Sequence, residues 1–166
     1  MTLADFTRSG LIIPRLVSRD AASVIHELSL AMQREGCVPN WLPFYHEALN
    51  REFLLSTDME EGLAFPHARL SGLRELAFAF GRSDVSFAWG PETTRQIRLV
   101  FLLAVPANAA EDYLPLVSGL TRLSTSLAAL EAIRRAVEPE EILTAFRGIE
   151  LRGSHGPLTV APAESR

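Results

Sequence analysis

The chain has a single cysteine, Cys37, among its 166 residues, so it can form no internal disulfide. That is unlike the stapled scaffolds of small secreted domains. Long apolar runs are also missing. None reaches the roughly 18–20 residues needed to cross a bilayer, so no membrane insertion is expected. The opening MTLADFTRSG lacks the basic stretch followed by an apolar run that marks a secretory leader. There is no basic run and no interleaving of cations with aromatics, and the net charge is −4, which argues against nucleic acid as the main partner. No H-E-x-x-H is present and Cys37 has no second cysteine, so no metal site is expected. G-x-S-x-G, P-loop and G-x-G-x-x-G patterns are absent too, and no bound cofactor is expected. These absences leave a cytoplasmic globular protein as the expectation.

What is present suits a full hydrophobic core: 48% apolar residues and 22% charged. Leu11 to Val17 reads as a short edge strand, because Pro14 cannot donate to a ladder. Ser18 is the expected cap of a helix whose apolar period runs from Ala21 to Met32 and stops at Gly36. Asn40 opens a second helix with Pro43 in its first turn and Trp41, Phe44, Tyr45, Ala48 and Leu49 on one face. Leu63 to Phe65 and Leu76 to Gly81 read as strands, the latter placing large residues on one face and alanines on the other. Ile97 to Val105 is apolar almost throughout, as in a central strand covered on both sides. Helices are expected near Tyr113–Ser124, with Asp112 as cap, and at Leu127–Val137 and Pro139–Phe146. Gly148 ends the periodicity. The expected fold is therefore α/β (α+β), a mixed β-sheet sandwiched by helices. One domain spans 1–147, and a Gly/Pro/Ser-rich mobile tail spans 148–166.

Of the four histidines, His26, His46 and His155 carry no motif and read as solvated or structural. His67 differs. In GLAFPHARLSG it follows a proline that terminates a short strand, and such strand ends hold functional side chains at fixed positions. A free imidazole, with a pKa of about 6.5, offers a neutral nitrogen near pH 7 for acid–base or nucleophilic work.

The ordered segments NREFLLST, GLAFPHARLSGLRELAFAFGRSDVSFAWG and RQIRLVFLLAVPA resemble the enzyme IIA proteins of the bacterial phosphoenolpyruvate-dependent phosphotransferase system. The likeness is to the fructose/mannitol type, including its nitrogen-regulatory branch, and it covers about residues 8 to 147. It implies that His67 accepts a phosphoryl group from the histidine phosphocarrier protein and passes it to a IIB domain or holds it for a regulated target protein. Arg51, in ALNRE, matches the family's catalytic arginine. Ser56 and Thr57 match its ST pair, and Arg69 is a candidate docking residue. Two departures favour an alternative, a non-catalytic regulatory binding module. The family's glycine-rich run is replaced by DMEEG, with Asp58, Glu60 and Glu61. A second family histidine is replaced by Tyr113, which donates a hydrogen bond but gains no charge near neutral pH.

Overall fold

The computed structural model describes residues 1–59, 61–90, 95–108 and 111–152. Two long strands form its axis. β4 (Ala77–Ala88) and β5 (Gln96–Pro106) run antiparallel, with Phe78 opposite Leu103 and Arg82 opposite Leu99. β1 (Ile12–Ile13) adds in parallel to the outer side of β4. β2 (Leu63–Ala64) and β3 (His67–Leu70) both lie parallel to β5. The sheet is therefore mixed, in the order β1-β4-β5-β2 with β3 also on β5.

Alternation along β5 supplies two cores. Val100, Leu102 and Ala104 face the layer built by α1 (Ala21–Arg34) and α2 (Trp41–Leu54). Phe101, Leu103 and Val105 face α3 (Tyr113–Thr125), α4 (Leu127–Arg135), α5 (Pro139–Arg147) and the N-terminal 3-10 turn Leu3–Phe6. The expected helix–sheet–helix sandwich is the fold observed, with the apolar strand at its centre. On the second face, the Phe101 ring lies 4.9 Å from Phe80, 5.8 Å from Phe78 and 5.9 Å from Phe146. Such pairs contribute about 0.5–1.5 kcal/mol each beyond area burial. The small residues of β4 serve the opposite face. A Cβ on Gly81 would lie 2.5 Å from the Leu16 side chain, so the loop after β1 packs directly on the strand backbone.

Element ends differ from the sequence reading where local bonds intervene. The strand expected over Leu11–Val17 shrinks to two residues, because a 3-10 turn occupies Ser9–Leu11 and Pro14 ends the ladder. Asp20 rather than Ser18 caps α1, accepting from the Ser23 N–H at 2.9 Å. Asn40 caps α2 as expected, accepting from Leu42 N–H at 3.0 Å. Asp112 sits at the start of α3, but its side chain makes no capping bond. β4 runs seven residues past the expected end at Gly81, through a register shift between Arg82 and Phe87.

The packed chain continues past Gly148. The Leu3 N–H donates to the Ile149 carbonyl (3.1 Å), and the Leu151 N–H donates to the Met1 carbonyl (2.8 Å). The rest of the expected tail, residues 153–166 with His155, lies outside the described residues. No helix of the described residues is long and apolar enough to cross a membrane.

Candidate functional site

Pro66 divides what would be one strand into two. β2 stops at Ala64, and β3 starts at His67 in register with Leu103. Between them the Pro66 carbonyl still accepts the Leu103 N–H at 2.9 Å. His67 therefore opens a strand, whereas the sequence pattern puts it behind the end of one. Its backbone is held by the sheet on either side of the proline, which removes freedom from the side chain's attachment point.

The half-buried His67 ring is oriented by its own chain. Nδ1 lies 3.2 Å from the Phe65 carbonyl. A carbonyl oxygen only accepts, so Nδ1 carries the hydrogen and donates. Nε2 is then the nitrogen with the free lone pair. His67 lines a cavity of about 260 Å³ with Glu47, Arg51, Arg69 and Tyr113. Three elements meet there. The last turns of α2 supply Glu47 and Arg51, β3 supplies His67 and Arg69, and the first residue of α3 supplies Tyr113. The Arg51 Nη1 donates to the Leu55 carbonyl at the end of its own helix (3.4 Å). The Arg69 guanidinium lies over the Tyr113 ring, 5.4 Å from its centre, a cation–π contact that fixes both side chains at the rim.

Ser56 and Thr57 are drawn elsewhere. Both hydroxyls turn to buried carboxylates: Thr57 Oγ1 donates to Glu52 Oε2 at 2.9 Å, and Ser56 Oγ donates to Asp58 with Glu52 Oε1 3.3 Å away. The Thr57 N–H and the Trp89 indole N–H donate to the Glu52 carboxylate, both at 2.7 Å. Thr57 Oγ1 also accepts the Phe65 N–H at 3.0 Å, which links this network to the residue that orients His67. Of the acidic loop, Asp58 is buried and accepts from the Ser56 hydroxyl, while Glu61 lines a different cavity. Glu60 lies outside the described residues. The carboxylate that does line the His67 cavity is Glu47. Sequence reasoning passed over both Glu47 and Glu52, although the signals were there. Glu47 precedes Arg51 by one helical turn on the same face, and two hydroxyl residues follow Glu52 four and five positions later.

The model of one family, the phosphoenolpyruvate-dependent sugar phosphotransferase system EIIA 2, matches residues 5–148. The chain belongs to this family. One relative, the 2-O-alpha-mannosyl-D-glycerate-specific EIIABC component of the phosphotransferase system of Escherichia coli, is 35% identical over 80% of the chain. That match spans 20% of the relative, and the fructose-specific EIIABC component of Bacillus subtilis is likewise spanned for 22% of its length. A nitrogen regulatory protein of Bradyrhizobium diazoefficiens is 28% identical over 74% of this chain and 80% of its own length. The EIIA 2 fold is shared with the nitrogen regulatory protein IIA-Ntr of Neisseria meningitidis, at TM-score 0.74 and 22% identity over 87% of this chain and 98% of that one. It is also shared with Escherichia coli IIA mannitol, at TM-score 0.70 and 18% identity over 84% of this chain and 97% of that one.

Proposed function

We propose that the chain is a phosphocarrier that accepts a phosphoryl group on Nε2 of His67. The observation that carries this reading is the bond from Nδ1–H to the Phe65 carbonyl, which leaves the Nε2 lone pair as the nucleophile. In the reaction this nitrogen attacks phosphorus while the bond from phosphorus to the donor's histidine nitrogen breaks. The bonding pair returns to the donor ring, and the His67 proton stays on Nδ1 against its carbonyl acceptor. Negative charge spread over the phosphoryl oxygens is met by Arg51, whose planar fork suits two of them. Arg69 and the Tyr113 hydroxyl add donors at the rim. The donor is the histidine phosphocarrier protein, and the acceptor is a IIB domain or a regulated target. Escherichia coli mannitol IIA has been solved in complex with phosphorylated IIB, and it shares this fold at TM-score 0.71. The presence of a nitrogen regulatory protein among the relatives supports a regulatory role, proposed here for the cytoplasm.

The test is phosphorylation by phosphoenolpyruvate with the two upstream carrier proteins, read by intact mass. Wild type gains one acid-labile phosphoryl group. His67→Ala gains none and keeps its fold, while His26→Ala and His46→Ala label normally. Failure of wild type to label would favour the binding-module reading, to which Tyr113 and the Glu47 carboxylate at the cavity wall give support.

A further inference from the structure

A second cavity lies away from His67. Along β5, Arg82 is opposite Leu99 and His67 is opposite Leu103, a separation of roughly 13 Å at the rise of a strand. This cavity, of about 270 Å³, is lined by Arg82, Arg98, Arg134, Gln96, Ser86 and Glu61. Three guanidiniums thus face one exposed carboxylate.

Arg82 is the unusual member. It continues the β4 face of Phe78 and Phe80, where an apolar side chain is expected, and it is only 8% exposed. Its Nε donates to the Pro14 carbonyl at 3.0 Å. Its Nη1 donates to the Ile133 and Ala136 carbonyls at the end of α4, at 2.6 and 2.7 Å. Among the described residues Nη2 has no acceptor, and no carboxylate forms an ion pair with this side chain. Burial pushes the guanidinium below its ordinary value, with Asp84 pulling the other way and Arg98 and Arg15 reinforcing the shift. A buried cation met only by carbonyl dipoles is costly to maintain. Arg98 uses Nε on the Ser83 carbonyl and Nη2 on the Asp84 carbonyl, keeping Nη1 free among the described residues. Arg134 makes no hydrogen bond or ion pair among them. Each guanidinium therefore has spare donors at the same small cavity.

We propose that this cavity is a binding site for a small, multiply charged oxyanion, a phosphate monoester of a three-carbon metabolite. Arg134 offers a free fork, and Arg82 and Arg98 each add one free terminal nitrogen, a donor set that suits phosphoryl and carboxylate oxygens. The volume falls just below the roughly 300–1,000 Å³ of drug-sized pockets, which limits the ligand to a few heavy atoms around the anionic groups. Such an anion joins Arg82 on β4, Arg98 on β5 and Arg134 on α4, so it binds the folded chain and raises its melting temperature.

The experiment titrates the intact chain with 3-phosphoglycerate, inorganic phosphate and sodium chloride at matched ionic strength, read by amide NMR and thermal melting. 3-Phosphoglycerate produces saturable shifts at Arg82, Gln96 and Arg98 and raises the melting temperature. Arg134→Gln, which removes no bond from the fold, weakens its affinity about ten-fold or more, the loss of one charge-assisted contact. His67→Ala leaves it unchanged, which separates this site from the phosphocarrier cavity. The proposal is overturned if chloride gives the same response, if no shift saturates, or if Arg134→Gln binds as wild type does. Equal affinity for inorganic phosphate would assign the site to the free ion and overturn the metabolite class.

Discussion

At the scale of single residues, the proposed phosphoryl transfer at His67 would turn on two neighbours of opposite charge, both from α2. Arg51 and Glu47 line the same cavity one helical turn apart. Arg51→Lys keeps a positive charge near the end of α2 but loses the planar fork. Phosphoryl transfer should slow by about 10²-fold, in the range found for removing one preorganised donor. Rapid-quench measurement of transfer from the phosphorylated donor checks this, and an unchanged rate would leave Arg51 as a helix-end residue only. Glu47→Gln acts in the reverse direction. Its exposed carboxylate opposes an incoming anion through a high dielectric, so removing it should speed acceptance only severalfold, and less at high salt. A slower rate in Glu47→Gln would show that the carboxylate orients Arg51 instead. His67 and Arg51 were legible from motif and spacing. Glu47, although at helical spacing from Arg51, became part of the site only when β3 packed against α2.

At the scale of elements, the position of Arg51 depends on how α2 ends. Glu52, the next residue, is buried and holds the chain after the helix through the Thr57 N–H and hydroxyl and the Trp89 indole. Glu52→Ala leaves the buried Trp89 N–H and the Thr57 N–H without their acceptor. A cost of about 2–4 kcal/mol is expected from two such losses. Urea unfolding measures it, and Glu52→Gln should cost less because an amide oxygen still accepts. A neutral result for Glu52→Ala would mean that water replaces the carboxylate. This network also explains why Ser56 and Thr57 are absent from the His67 cavity: the buried carboxylates of Asp58 and Glu52 take their hydroxyls. Pro66 shows a similar limit at β2 and β3. The proline signalled a strand end, but the sheet bonds on both sides of it, and a new strand at His67, depend on β5, about 30 residues later in the chain.

At the scale of the whole molecule, the two termini close on each other. Glu150 bridges to Thr2, and Leu151 packs against Gly119 and Leu3, so closely that a Cβ on Gly119 would lie 2.5 Å from Leu151. Truncation after Gly148 removes these backbone bonds and that packing. A loss of about 2 kcal/mol corresponds to roughly 4–8 °C in Tm for a chain of this size. Calorimetry decides it, and an unmoved Tm would return residues 149–152 to the tail. The Gly/Pro/Ser composition after Gly148 hid this contact because no apolar period marks a segment that packs only Ile149 and Leu151, both half-buried. Sequence alone determined what periodicity and motif order can carry. It specified the helix–sheet–helix class, the doubly covered β5, the demanding face of β4, the cap at Asn40 and the family, and it singled out His67 and Arg51 as candidates, which the fold brings to one cavity. Tertiary structure decided what depends on distant partners: the Nδ1 bond that orients His67, Tyr113 and Arg69 stacked at its rim, Asp58 turned inward, and Arg82 buried against α4. The physical reason is that hydrophobic period and turn chemistry are properties of neighbouring residues. The burial and pairing of a charged side chain, by contrast, are set by whichever segments the fold brings against it.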